Sequence, residues 1–266
     1  MLSNVLTKFG FVVCSILATS VFAQTDESDS SAVPKSQTAT ASDSVDFYKM
    51  VDEVVLELNS GDLERSILAY DLLAVFANSS GYEIRKAARN HLQKFHVDAW
   101  TWLQENGKMS PKSRMPKQTI WDARWESKDL PYIAFVDREV DLSKLVYLKA
   151  FNFESIAFVD LPDFTDKHLV CVAGQEKLVS LTVENTGVQG IGFSGMYSDS
   201  VEVIFLTDSP VTNTTLFYIS DNFPKLSQVS LQGTQVSKSN ASDFQNTLKV
   251  KQRNRQAKTR SRRRGR

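Results

Sequence analysis

From Leu130 onward the apolar residues recur in one fixed figure. Aligned on the first apolar residue of each expected strand, Ile133, Ile156, Leu181, Ile204 and Val229 follow at intervals of 23, 25, 23 and 25 residues. Three positions earlier stand Leu130, Phe153, Leu178, Val201 and Leu226, and two positions later Phe135, Phe158, Val183, Leu206 and Leu231. Each unit reads L-x-x-L-x-L, and Val140, Val188, Val211 and Val236 add a further apolar position. The second unit departs, with Asp163 followed by Phe164, as though one residue entered after Pro162. Its pentapeptide Ile156-Ala-Phe-Val-Asp160 repeats Ile133-Ala-Phe-Val-Asp137 unchanged. A unit this short cannot bury its apolar side alone, so neighbours must stack. Strand alternation sends Leu181, Val183, Leu206 and Leu231 into a core of parallel strands and leaves Thr182 and Ser230 exposed.

Ahead of the repeats the apolar period becomes helical. Phe47, Met50, Val51, Val54, Val55 and Leu58 predict a helix over 45–58, stopped by Asn59-Ser-Gly61. Leu63, Ile67, Leu68, Leu72, Val75 and Phe76 predict a second, ended near Gly81. A third carries Ile84, Ala87, Ala88, Leu92, Phe95, Ala99, Trp102 and Leu103 and closes at Gly107. The pair around Leu63 to Phe95 faintly resembles a single HEAT-like hairpin. The plainer reading is a helical cap over residues 45–107 that covers the first repeat. Residues 108–129, with two prolines and a cluster of bases, predict a linker followed by Trp121 and Trp125 at helical spacing. That ring pair could grip a flat ligand, or cover the open edge of the sheet.

The segments Leu178-Val-Ser-Leu-Thr-Val183-Glu-Asn-Thr186-Gly-Val188 and Leu226-Ser-Gln-Val-Ser-Leu231-Gln-Gly-Thr234-Gln-Val236 resemble leucine-rich repeat proteins, specifically the short-repeat bacterial, secreted kind. Phe164-Thr-Asp-Lys-His-Leu169 resembles the helix start of such a repeat. The resemblance covers residues 130–248 and implies an α/β fold: a solenoid of about five βα turns preceded by the small α-helical bundle. The position that holds asparagine in longer repeats carries Arg138, Leu161, Thr186, Ser209 and Thr234 here, so no asparagine ladder is expected.

Composition adds the ends of the chain. Lys8, the apolar run from Phe9 to Leu17 and Ser20-Val-Phe-Ala23 read as a signal peptide over 1–23, which predicts a secreted or periplasmic, envelope-associated protein. Cys14 lies within that run and does not resemble a lipoprotein cleavage site. Beyond it Cys171 is the only cysteine, so no intrachain disulfide is expected and a buried, inert thiol is the favoured reading. Residues 24–44 are too polar to offset ordering entropy and predict a disordered leader. The formal charge of zero conceals a polarity, because Lys249 to Arg266 holds ten bases and no acid. The rest then carries 21 basic against 31 acidic residues, a net charge of −10. A block of like charge predicts a disordered basic tail. Its cations, Lys249, Lys251, Arg253, Arg255, Lys258, Arg260, Arg262, Arg263, Arg264 and Arg266, are candidates for contact with a polyanion.

Catalytic chemistry is sparse. His91 and His96 are five apart on their helix, off the spacing of ligands that share a face, and read as helix-surface residues; no metal site and no cofactor is expected. Asp166, His168 and Cys171 hold the ingredients of a nucleophile and base, yet the same residues fill helix-start and packing positions of the repeat. No phosphate loop, G-x-S-x-G elbow or H-E-x-x-H pair occurs. Asn78, Asn213 and Asn240 begin N-x-S/T triplets that matter only in a eukaryotic secretory pathway.

The residues between the buried strand positions form three outward columns: Tyr132, Ser155, Ser180, Val203, Gln228; Ala134, Ala157, Thr182, Phe205, Ser230; and Val136, Val159, Glu184, Thr207, Gln232. The early rows are small or apolar, as though covered by the helical bundle. The later rows are polar around Val203 and Phe205, which makes Ser180, Thr182, Glu184, Val203, Phe205, Thr207, Gln228, Ser230 and Gln232 the candidate binding residues. Asp137, Asp160, Asn185 and Asp208 mark the strand ends, either to hold calcium or a basic partner or as turn formers that bond their own backbone. The sequence therefore points to an exported, non-catalytic interaction protein that binds a protein or glycan through its repeat face. The alternative is an adaptor held through its basic tail to an anionic polymer or membrane surface; an enzyme ranks third.

Overall fold

A computed structural model of the chain describes residues 41–79, 81–110, 130–136 and 139–264, with the side chains of 48–257 among them. The predicted signal peptide, most of the leader, Trp121, Trp125, Asp137 and Arg138 lie outside the described residues.

Three helices come first: α1 (Ala41–Leu58), α2 (Leu63–Ala77) and α3 (Tyr82–Asn106). The first begins four residues before the expected start, so 41–44 belong to a helix and not to a leader. Asp62 caps α2 by accepting from the Arg65 amide at 3.1 Å. The apolar stripe of α2 is rotated from the one expected. Ser66, Ile67, Ala69, Leu73 and Phe76 are buried, whereas Leu68 and Val75 are exposed. Contact with both α1 and α3 chooses the buried face, and small residues at 66 and 69 let the neighbours approach.

The sheet has six strands in sequence order: β1 (Lys108–Met109), β2 (Ile133–Val136), β3 (Ser155–Val159), β4 (Ser180–Glu184), β5 (Val203–Phe205) and β6 (Gln228–Ser230). The strands β2 to β6 are parallel, and their register runs Ile133, Ile156, Leu181, Ile204, Val229, the same residues that the sequence alignment brings together. The fold is thus α/β with a mostly parallel sheet. Lys108 and Met109, expected in a linker, form instead a strand antiparallel to β2. An edge strand leaves unpaired amides and carbonyls, and β1 satisfies them on the side that has no parallel neighbour.

Each parallel strand from β2 to β5 is joined to the next through a short helical segment. Three are 3₁₀ helices, η1 (Leu142–Ala150), η2 (Asp166–Val172) and η3 (Ile191–Gly195), and the fourth is the α-helix α4 (Asn213–Asn222). Between strands and return segments lies a core in which Phe135, Phe158 and Phe164 stack, with ring centroids 5.6 and 4.0 Å apart. Leu181, Val183 and Leu206 are fully buried, as expected. Leu231 is only half-buried because it belongs to the last turn, and Thr182 and Ser230 are half-buried and not exposed, since neighbouring strands shade them.

The helical bundle meets the sheet from its first end. Phe95 and Trp102 pack on Tyr147 of η1, Trp100 and His96 on Phe151, and Trp102 also reaches Phe135 at 5.8 Å. Among the described residues its ring contacts run to η1, to Phe151 and to Phe135 at the end of the core. The aromatic side chains of α3 meet a ring of η1, Tyr147, with centroids 5.0 and 5.7 Å away.

At the other end, α5 (Lys238–Arg264) replaces the disordered tail that composition suggested. Phe244 and Leu248 are buried, which anchors its first half, while Lys, Arg and Gln have good helix propensity.

Candidate binding face and its polar support

The nine candidate residues form a grid of three strands by three rows. Register places Val203 between Ser180 and Gln228, and Phe205 between Thr182 and Ser230. The third row, Glu184, Thr207 and Gln232, continues the ladder, with Asn185 N donating to Thr207 O at 3.0 Å and Asp208 N to Gln232 O at 2.9 Å. At strand and residue spacings of about 4.8 and 3.3 Å, the grid measures roughly 10 by 13 Å. All nine keep some exposure, and Gln228 and Gln232 are open. The early rows differ, since Ala134 and Ala157 are buried.

Along one rim the backbone turns sharply. Asp160, Asn185 and Asp208 all have left-handed φ, at 56°, 48° and 51°. Asn and Asp tolerate that conformation better than other side-chain-bearing residues, because their short polar groups bond locally. Asn185 Nδ2 donates to Asp160 Oδ1 at 2.8 Å, tying neighbouring turns together. One repeat further on the column continues as Gly233, at φ 71°, which sequence reasoning missed although the spacing would have found it. A Cβ on Gly233 would come within 1.7 Å of Asp208 Oδ1. The column is thus a line of turn formers.

Below that rim, hydroxyls from neighbouring turns bond to one another and to the backbone. Thr186 Oγ1 and Ser209 Oγ, both buried, lie 3.1 Å apart, and Ser209 Oγ donates to the carbonyl of Val183 or of Thr207 at 3.3 Å. In the last turn Thr234 Oγ1 donates to Leu231 O at 2.8 Å. Buried polar groups need such partners, and hydroxyls supply them within a thin turn.

The trio Asp166, His168 and Cys171 takes up separate duties. Asp166 accepts three backbone amides of the next turn: Gln189 at 2.9 Å on Oδ2, and Gly190 and Gly192 at 2.8 Å on Oδ1. Bonds to a carboxylate are the stronger kind, so this is a clamp between neighbouring turns. Gly190 permits it: its φ of 101° is left-handed, and a Cβ there would meet Thr215 Oγ1 at 2.0 Å. His168 Nδ1 accepts the Thr165 amide at 2.9 Å and caps η2. Burial, aided by Lys167, lowers its pKa, which keeps the imidazole neutral and able to accept. Cys171 is fully buried, and burial raises its pKa well above the ordinary thiol range, so the thiolate that nucleophilic chemistry needs is disfavoured.

His91 is half-buried, and His96, expected on the helix surface, is buried under the bundle, with Nε2 3.1 Å from the Tyr70 hydroxyl. Desolvation holds its pKa down to about 4. The reason for the correction is tertiary, because that helix face is covered by Tyr70 and Phe151.

Gln175 escaped sequence reasoning altogether. Its buried Nε2 donates to Leu148 O and Phe151 O at 2.9 and 3.0 Å, and its Oε1 accepts from Phe153 N at 3.2 Å. Asn222 does a related job for η3, donating to Phe193 O at 2.7 Å. They stand at different distances before their strands and make no sequence pattern.

In the tail, Lys249 and Arg253 are exposed. Lys251 Nζ donates to Ser220 Oγ at 2.8 Å and Arg255 Nη2 to Leu226 O at 2.9 Å, so both are held to the body. The side chains of Lys258, Arg260, Arg262, Arg263 and Arg264, and all of Arg266, lie outside the described residues. The family models contain no match to this chain, and neither do the curated proteins.

Proposed function

We propose that residues 130–248 are a short leucine-rich-repeat solenoid and that the protein is an exported, non-catalytic interaction protein whose strand face binds a protein or glycan. The observation that carries this reading is the grid of residues around Phe205. An aromatic ring and Val203, both partly exposed, sit in the middle strand and are surrounded by Ser180, Thr182, Glu184, Thr207, Gln228, Ser230 and Gln232. An apolar centre with a polar rim is the arrangement that concentrates binding energy at an interface. The supporting turns are held rigid by the Asp166 clamp and the Thr186–Ser209 pair, so the face is presented without ordering cost at the moment of binding.

The test compares full-length protein with Phe205→Asp in affinity capture from the envelope and secreted fractions and on a glycan array, with circular dichroism as the control for folding. The expected result is a retained partner that is lost with Phe205→Asp while the fold persists. The same partners on both proteins would remove the face from the function.

A further inference from the structure

We propose that the partner of the strand face is a protein segment that presents an arginine, whose guanidinium lies against Phe205 and pairs with Glu184. This rests on the reading of that face as the binding surface and narrows its partner from protein or glycan to a cationic polypeptide.

Charge is distributed unevenly along the strands. At their starts both signs occur: Glu154 and Glu202 stand one residue before β3 and β5, and Lys177 and Lys225 three residues before β4 and β6. At their ends, and in the turns that follow, the charges are all negative. Residues 160–166, 184–195 and 207–213 contain no lysine or arginine, while Asp160, Glu184 and Asp208 stand at the ends of three consecutive strands. Glu184 is half-buried and the other two are exposed, and among the described residues no base forms an ion pair with any of them. At about 3.3 Å per residue Lys177 lies roughly 20 Å along the strand from Glu184, beyond the distance at which salt screens exposed charges from one another. Like charges on neighbouring strands repel, and an incoming cation relieves that repulsion.

The second feature is a ring beside that carboxylate. Thr182 is in register with Phe205, and Glu184 follows Thr182 by two residues, so Glu184 and Phe205 share a face as diagonal neighbours on adjacent strands. Strand spacing and rise put their Cα atoms roughly 8 Å apart. The described cations that stack on a ring do so on Tyr82 and Tyr147, and none lies over Phe205. A guanidinium is the cation that uses both groups, because it stacks flat on an aromatic face while the donors at its edge match a carboxylate. An ammonium pairs as a point charge and gains less from the ring. A metal ion takes several oxygens at once, and among the described residues no three acidic or metal-ligating side chains converge for one. An acidic glycan is repelled by the negative edge, and a neutral one leaves Glu184 without a counter-charge.

Random dodecapeptides displayed on phage are selected on the full-length chain and counter-selected on Phe205→Ala, whose fold is checked by circular dichroism. The strongest binder is synthesised and titrated calorimetrically, and a version with lysine in place of its arginine is titrated beside it. Expected is an arginine at one fixed position of the selected peptides. Glu184→Gln, which keeps size and removes charge, should weaken binding about tenfold, and Phe205→Leu, which keeps bulk and removes the aromatic face, about threefold. Lysine in the peptide should cost about fivefold, and Asp221→Asn, an exposed acid on the return helix α4, less than about twofold. Selected peptides without a fixed arginine, or binding that Glu184→Gln leaves unchanged, overturn the proposal, while their dependence on Phe205 leaves the face standing. A glycan whose binding depends on Phe205 and not on Glu184 does the same. Failure to select any Phe205-dependent peptide also overturns it, and binding of peptides and glycans alike that is indifferent to Phe205 removes the face as well.

Discussion

The two ends of the sheet are closed by opposite means. At the first end β1 pairs antiparallel with β2, and Trp102, Tyr147 and Phe135 form a layer of rings over the core. At the last end α5 contributes two apolar anchors, Phe244 and Leu248, and then fixes itself through Lys251 and Arg255 to a hydroxyl and a carbonyl. The first closure draws its energy from apolar burial, which salt hardly touches. The second combines modest burial with charged donors at a surface, where water and salt compete. An end sealed by rings is held by packing, whereas the end sealed by α5 is held in part by hydrogen bonds from two cations that water can replace.

The comparison is broken most severely at the first end. Phe135→Ala removes a fully buried ring stacked on Phe158 and touched by Trp102, and should cost about 3–5 kcal/mol in chemical denaturation. A loss as small as that of an exposed residue would show that the ring layer does not seal the core.

The next effect is a pH dependence confined to the same end. The His96 pKa is lowered from 6.5 to about 4 by burial, so in the unfolded chain the imidazole takes up a proton that the folded one refuses. Its contribution is intact above pH 6.5 and is lost as pH falls towards 4, by about 3 kcal/mol in all. His96→Phe should flatten that part of the stability profile between pH 7 and 4. An unchanged slope would mean that other groups carry it.

At the last end Leu248→Ala should cost about 2 kcal/mol, the low side of the range for a buried leucine, because a terminal helix can settle into the gap. Hydrogen exchange should show the opening limited to α5 and β6; opening that spread to the first turns would make the two ends one cooperative unit. Smallest of all, Ser230→Asp on the half-exposed face should shift stability by no more than about 0.5 kcal/mol by thermal melting. A larger loss would place that side chain in the core and undo the grid.

Much of this architecture is written in the chain. The spacing of Ile133, Ile156, Leu181, Ile204 and Val229 determines the register of the parallel strands, because a side-chain period of two lets only one alignment bury all the apolar residues. The same spacing supplies the face residues and, but for Gly233, the rim of turn formers. Sequence could not decide which of two faces of α2 is buried, where His96 points, or that Gln175 joins one turn to the next. Those depend on which surfaces meet, and several choices of partner satisfy the same local pattern. The strand of two residues at Lys108 exists only because β2 offers an unpaired edge. Only the tertiary structure divides the first four tail cations: composition counts charges, but buried Phe244 and Leu248 set the face of the helix that meets the body, so that Lys251 and Arg255 bond to it while Lys249 and Arg253 face solvent.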